Sequence, residues 1–269
     1  MRPLAALVLA AILALAADPA LAADPARAET GEQACPGLVA AVRPPVRPAA
    51  LARNEVGLTF VGHATWLIES AGGVTVATDY NDYVRPVVTP VLATMNRAHS
   101  THFSVLPDPA IHHVLRGWNP GGGPARHDLQ VADVRVRNVP TNIRDWSGGT
   151  EADGNSIFVV ETADLCIAHL GHLHHTLNAE QLKALGRIDV VLVPVDGSYT
   201  LDRDGMVEVL QSLGSPLMLP MHYFNPSTLN RFLAKAREHW PVEFASTATL
   251  TLSRETLPKA PKVLVLPGR

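Results

Sequence analysis

The chain has 269 residues, 47% of them hydrophobic and 17% charged, with a formal net charge of −3 at pH 7. That balance excludes a disordered tail, a coiled coil and a collagen-like fibre, and it leaves room for one large domain or two small ones. The 22 Lys and Arg do not outnumber the 25 Asp and Glu, and only 5% of residues are aromatic, so neither a basic field nor a base-stacking platform points to nucleic acid.

Residues 1–22 read as a secretory signal peptide. Arg2 supplies the positive start, residues 4–17 are Ala, Leu, Val and Ile only, and Ala20-Leu21-Ala22 offers a cleavage site. The run is shorter than the roughly 20 apolar residues that span a bilayer. A periplasmic or secreted protein without stable membrane insertion is expected. Residues 23–53 are rich in Pro and Ala. Proline lacks a backbone donor and is kept out of helix interiors and central strands, so an extended segment is expected ahead of a domain at 54–269. Export permits a disulfide between Cys35 and Cys166, and a bridge and two separate thiols both remain open.

Within the domain, residues 57–69 and 74–78 read as strands joined at Ala71-Gly72-Gly73. Asp108-Pro109 opens a predicted helix to 116, and 118–124 is a Gly/Pro loop. Residues 129–131, 134–139, 157–161 and 165–168 alternate as strands. Asn178 with Gln181 caps a helix that stops at Gly186. The runs 190–195 and 217–221 suit buried strands, 204–213 and 227–239 suit helices, and 247–252 and 262–266 close the chain as strands. Hairpins followed by alternating strands and helices predict an α/β sandwich of two sheets.

Twelve histidines against two cysteines is the unusual feature. His112, His113 and His239 fall on predicted helices and His127 in a loop, where ordinary surface or half-buried roles are expected. His63, His99, His102, His169, His172, His174, His175 and His222 fall near predicted strand ends. Loops after strands are where a rigid scaffold gathers functional side chains, and neutral imidazole is the commonest zinc ligand.

Five segments carry a resemblance. Val61-Gly62-His63-Ala64-Thr65-Trp66-Leu67-Ile68-Glu69, Val76-Ala77-Thr78-Asp79, His169-Leu170-Gly171-His172-Leu173, Val193-Pro194-Val195-Asp196-Gly197 and Leu219-Pro220-Met221-His222-Tyr223 occur in an order that resembles the metallo-β-lactamase superfamily. The likeness is to its metal-dependent hydrolase branch, with ascorbate-6-phosphate lactonase and N-acyl phosphatidylethanolamine phospholipase D. It implies an αββα sandwich with two mixed β-sheets, helices on the outer faces and a metal site at the sheet edges.

The chain departs from that pattern. The family's H-x-H-x-D-H motif stands here as Arg97, His99, Thr101 and His102, its bridging Asp as His172, and the stretch 139–144 carries no His. His222 matches the last ligand. Without a carboxylate at any matched position, two adjacent cations would repel strongly. The resemblance therefore implies one ion, zinc or another divalent transition metal. His102, His172 and His222 would hold it, with His99 as a fourth ligand or a nearby base. Its hydroxide would attack an ester, lactone or phosphoester. Arg97 is expected either to clamp a small anionic substrate or to pair with Asp79 or another carboxylate. His63, His169, Asp79 and Asp196 are expected to orient the ligands. His174 and His175 stand as spare ligands or a solvent-facing pair, and Tyr199 as a pocket-mouth or packing residue. The competing expectation is a degenerate member that binds a small anion or metal without hydrolysis.

Overall fold

Alternate side chains of Val190–Pro194 face two different apolar layers. Val190 and Leu192 pack with Leu58, Trp66 and Phe158, while Val191 and Val193 pack with Met206, Leu210 and Phe232. A strand buried on both faces belongs in the middle of a layered structure. The computed structural model describes residues 50–145 and 147–268. The expected signal peptide, residues 23–49 of the expected extended segment and Cys35 lie outside the described residues, and Cys166 has no disulfide partner among the described residues. No helix among the described residues is long and apolar enough to cross a membrane.

The elements begin with β1 (Val56–Gly62), β2 (Thr65–Ser70), β3 (Thr75–Ala77), β4 (Leu92–Met95) and β5 (His113–Arg116). Then come β6 (Asp128–Val131), β7 (Val134–Arg144), β8 (Thr150–Thr162), β9 (Leu165–His169), α1 (Ala179–Leu185) and β10 (Val190–Pro194). The chain continues through α2 (Arg203–Leu213), β11 (Leu217–Met221), α3 (Pro226–Ala236), β12 (Val242–Phe244), β13 (Thr249–Leu252) and β14 (Lys262–Val265). One sheet is ordered β13-β1-β2-β3-β4-β5 and the other β12-β14-β11-β10-β9-β8-β7-β6. Both are mixed: β1 is antiparallel to β2 while β3 is parallel to β4, and β8 is antiparallel to β9 while β9, β10 and β11 run parallel.

Leu58, Trp66 and Ile68 of the first sheet meet Val136, Phe158, Ile167 and Leu219 of the second in the central layer. Burying each such side chain contributes about 1.5–3 kcal/mol, which makes this layer the rigid base for the site. The described helices share the apolar layer on the far side of the second sheet. The outer side of the first sheet departs from the expected helix cover. There Tyr80, Phe103, Ile111 and Trp118, none of them in a helix, pack with Ala77, Ala93 and Met95.

Residues 108–116 do not form the expected helix. The Asp108 carboxylate and carbonyl accept from the amides of Ala110 and Ile111, closing a turn, and His113–Arg116 then pairs in parallel with Leu92–Met95. Ladder hydrogen bonds and the burial of Leu115 outweigh a local Asp-Pro helix signal. The single strand expected over 57–69 is a hairpin, turned at His63-Ala64. α3 ends at Ala236, so His239 lies beyond it.

Candidate metal centre

The strands deliver their chemistry at their C-terminal ends. His63 follows β1, Asp79 lies just past β3, Asn96 follows β4, His169 ends β9, Asp196 lies just past β10 and His222 follows β11. His63, Asp79 and His222 hold positive φ angles of 52°, 41° and 56°. Such backbone costs a residue with a Cβ on the order of 1 kcal/mol or more, and it clusters at functional sites. The His222 amide donates to the His63 carbonyl at 2.7 Å, tying the ends of β1 and β11 together beneath the site.

His102 and His222 form the centre of the cluster. Their Nε2 atoms lie 3.0 Å apart, with ring centroids at 5.0 Å. His102 Nδ1 meets Asp79 Oδ2 at 2.5 Å and His222 Nδ1 meets Asp196 Oδ1 at 3.0 Å. Asn96 donates to the other Asp79 oxygen at 2.9 Å. Asp196 also accepts from the Ser198 and Tyr199 amides and the Thr200 hydroxyl, which folds residues 196–200 around it. With Asp79 and Asp196 both ionised, each ring donates Nδ1–H and keeps a bare Nε2, and two bare nitrogens at this separation suit a cation between them.

His63 belongs with this pair. Its ring centroid is 4.3 Å from that of His222, and the donor atoms of His63, His102 and His222 all lie within 4.8 Å of one another. His63, expected to orient the ligands, has its donor atom grouped with those of His102 and His222. Thr101 Oγ1 lies 3.0 Å from His63 Nε2 and steadies that ring.

The other expected residues sit around this trio. His172 is buried, its centroid 4.8 Å from His102 and 5.0 Å from His222, but it falls outside the group of clustered donors. Its Nδ1 meets His174 Nε2 at 2.6 Å, while His174 Nδ1 accepts from the Arg144 amide at 2.7 Å. His99 packs against His172 at 4.7 Å and stands 6.2 Å from His102. His169 is saturated: Nε2 donates to the Ala64 carbonyl and Nδ1 accepts from the Gly171 amide. It braces β9 against the His63 turn. His175 Nε2 likewise accepts from the Asn142 amide, and its Nδ1–H donates to the Thr176 carbonyl. Arg97 pairs with Glu151 at 2.8 Å, not with Asp79.

Burial depresses the pKa of the imidazoles. His63 falls to about 4 through burial and the neighbouring His222, and His174 to about 4 through burial and the Arg144 charge. His102 is lowered well below the usual range by burial and by His63 and His99, and His172 by burial and by His102 and His222. Burial also lowers His222, against the Asp196 carboxylate. Neutral rings are the form a cation requires. Burial raises the Asp79 pKa, whereas at Asp196 the His222 and Thr200 hydrogen bonds override burial and lower it.

A cavity of about 320 Å³ opens onto His63 and His222 of the trio, lined also by His99, Thr101, Tyr199 and Phe224. A second, of about 330 Å³, shares His99 and Tyr199 and adds Arg97, Arg144, Glu151 and His174. The Arg144 guanidinium donates to the Ser198 carbonyl at 3.3 Å and has no carboxylate partner among the described residues. Arg144 and Glu151 carried no functional expectation from the sequence, and Asn96 and Thr101 stood in the motif segment without the roles the fold gives them. Their roles depend on contacts between distant strands, for which short spacing carries no signal.

A sequence model described as the beta-lactamase superfamily domain matches residues 57–222. A metal-dependent hydrolase of Thermoplasma volcanium is 37% identical over 106 residues, a stretch covering 39% of this chain and 44% of that protein. The match therefore spans less than half the length of that relative. A metal-dependent hydrolase of Methanoculleus marisnigri is 23% identical over 184 residues, covering 62% of this chain and 80% of that protein. Among solved structures, a Thermotoga maritima protein assigned as a Zn-dependent hydrolase of the metallo-beta-lactamase superfamily has a TM-score of 0.61 at 27% identity, covering 80% of this chain and 100% of that one.

Proposed function

The chain belongs to the beta-lactamase superfamily, and from that membership we propose that it is a metal-dependent hydrolase working with a single zinc ion. The observation that carries this reading is the pair of Nε2 atoms 3.0 Å apart, each backed through its own ring by a buried carboxylate. His102 and His222 would hold the ion through Nε2, and His63 would supply the third nitrogen. Asp79 and Asp196 answer the charge problem raised by an all-histidine shell. Two carboxylates one imidazole away balance a divalent cation, and a cation in turn favours ionised Asp79 against its burial. The names of the relatives in Thermoplasma and Methanoculleus support the reaction class.

When bound, the ion supplies Lewis acidity and lowers the pKa of a coordinated water to about 7. The remaining work falls to the chain. Asp79 and Asp196 hold their imidazoles in the Nδ1–H tautomer. Tyr199 and Phe224, whose rings lie 5.6 Å apart, flank the mouth and shield it from bulk water. His99, a half-buried neutral imidazole on the cavity wall, accepts the proton of the attacking water. Arg144 holds the anionic part of a small ester, lactone or phosphoester; Arg97 is largely neutralised by Glu151.

The test is a screen of lactone, carboxylic ester and phosphodiester substrates with zinc-loaded and chelator-treated protein. Turnover that vanishes on chelation and returns with zinc is expected. Turnover indifferent to metal removal, or zinc-loaded protein inert to all three classes, contradicts the reading.

A further inference from the structure

A backbone N–H can only donate, so the Arg144 amide, 2.7 Å from His174 Nδ1, requires that nitrogen to be bare. An imidazole with a bare Nδ1 carries its proton on Nε2. His174 Nε2–H therefore donates to His172 Nδ1 at 2.6 Å. His172 Nδ1 is then the bare nitrogen in its turn, and its proton sits on Nε2. That Nε2 is buried and has no hydrogen-bond partner among the described residues.

The direction is opposite to that of its neighbours. With Asp79 and Asp196 ionised, as a bound cation requires, His102 and His222 give Nδ1–H to the carboxylates and present bare Nε2 atoms. His172, edge-on to His99, His102 and His222 at 4.7, 4.8 and 5.0 Å, presents an N–H. A nitrogen that carries a proton has no lone pair for a metal ion, which agrees with the absence of His172 from the clustered donors. Turning the ring to present its other nitrogen would break the His174 hydrogen bond to Nδ1. The Asn155 side chain holds the His172 amide at 2.8 Å, and His174 holds Nδ1.

We propose that His172 is a catalytic hydrogen-bond donor and not a metal ligand. Its Nε2–H serves the substrate oxygen that becomes anionic when a carbonyl or phosphoryl centre is attacked, and His174 is the positioning residue that sets its tautomer. The proposal rests on the hydrolase reading for the identity of that oxygen. A buried, preorganised donor at this point stabilises developing charge without reorganisation, and losing one such donor typically lowers turnover by about 10²–10³-fold.

The tautomer is read by long-range proton–nitrogen NMR on the metal-free protein labelled at histidine nitrogens. Protonated Nε2 and bare Nδ1 are expected for both His172 and His174. Zinc content and inorganic phosphate binding, with phosphate as the oxyanion probe, are then compared in wild type, His172→Gln and His172→Ala. Both variants should keep the wild-type zinc stoichiometry. Phosphate should bind zinc-loaded His172→Ala about tenfold or more weakly, and His172→Gln, which keeps an N–H donor, should recover most of that loss. Protonated Nδ1 on His172, zinc lost from both variants while wild type retains it, or phosphate affinity unchanged in His172→Ala would overturn the proposal. The NMR result decides the tautomer even if wild type binds no zinc, the outcome that would refute the hydrolase reading instead.

Discussion

His102 and His222 face each other through Nε2 atoms 3.0 Å apart, although 120 residues separate them in the chain. Each is turned toward the other by a carboxylate on its far nitrogen, Asp79 for His102 and Asp196 for His222. With both carboxylates ionised, two lone pairs at that distance define a place for positive charge. His222 reaches it from the end of a buried strand of one sheet, and His102 from the loop after β4 of the other.

The carboxylates should therefore matter to metal affinity although neither is among the clustered donors that would hold the ion. Asp79→Asn and Asp196→Asn keep the shape but remove the charge that balances the cation. Each should weaken zinc binding by about 10–100-fold. Competition against a chromophoric chelator measures it. Wild-type affinity in both variants would show that the carboxylates serve folding alone.

Acid should destabilise the metal-free protein over a defined window. His63 and His174 take up a proton near pH 4 in the fold and near 6.5 when unfolded, so between those values the unfolded chain binds more protons. Stability should be greatest above pH 6.5 and fall as the pH drops toward 4. His102, His172 and His222 are shifted in the same direction and steepen the fall. Urea unfolding at a series of pH values checks this; a flat profile between pH 6.5 and 4.5 would mean the rings are not held neutral.

Gly171 carries more than a turn. Its φ is +60°, and a Cβ there would come within 2.4 Å of both Asn155 Oδ1 and Asn96 Nδ2. Those two side chains fix the His172 amide and the Asp79 carboxylate. Gly171→Ala should cost about 2 kcal/mol or more from backbone strain and overpacking, roughly 4–8 °C in Tm, and should loosen zinc binding as well. Thermal melts with and without zinc measure both effects. A variant that melts and binds like wild type would show that the two asparagines can move without consequence.

The arginines should separate under kinetic analysis. Arg97 is ion-paired with Glu151 on a half-exposed surface, whereas Arg144 has no carboxylate partner among the described residues. Arg144→Ala should raise KM for an anionic ester about tenfold, equivalent to about 1.4 kcal/mol, and leave an uncharged ester nearly unaffected. Arg97→Ala should change either KM by no more than about threefold. Equal effects of the two substitutions would remove the distinction.

The layered fold was legible because alternation in strands such as 134–139 and 190–195 matches burial on two sides. His102 was legible as a candidate from the motif segment 97–102, with His99 three residues before it, and His222 from its place directly after the apolar run 217–221. Other features depend on geometry that local pattern does not encode. The donor position of His63 arises from the sharp β1–β2 turn, which carries its ring onto His222. The proton direction in His172 is set by the backbone of Arg144, on β7, acting through His174. The Asp108-Pro109 signal was real as a turn, but pairing of His113–Arg116 with β4 replaced the helix it suggested. Arg97 reads from sequence as either a substrate clamp or the partner of a carboxylate, and only the fold brings Glu151 of β8 beside it.

The most direct test is zinc stoichiometry of the purified protein after equilibration with zinc and removal of excess, in wild type and in the His102→Ala, His222→Ala double variant. The account predicts about one equivalent in wild type and essentially none in the double variant with its fold intact by circular dichroism. A wild type that retains no zinc, or a folded double variant that retains a full equivalent, would contradict it.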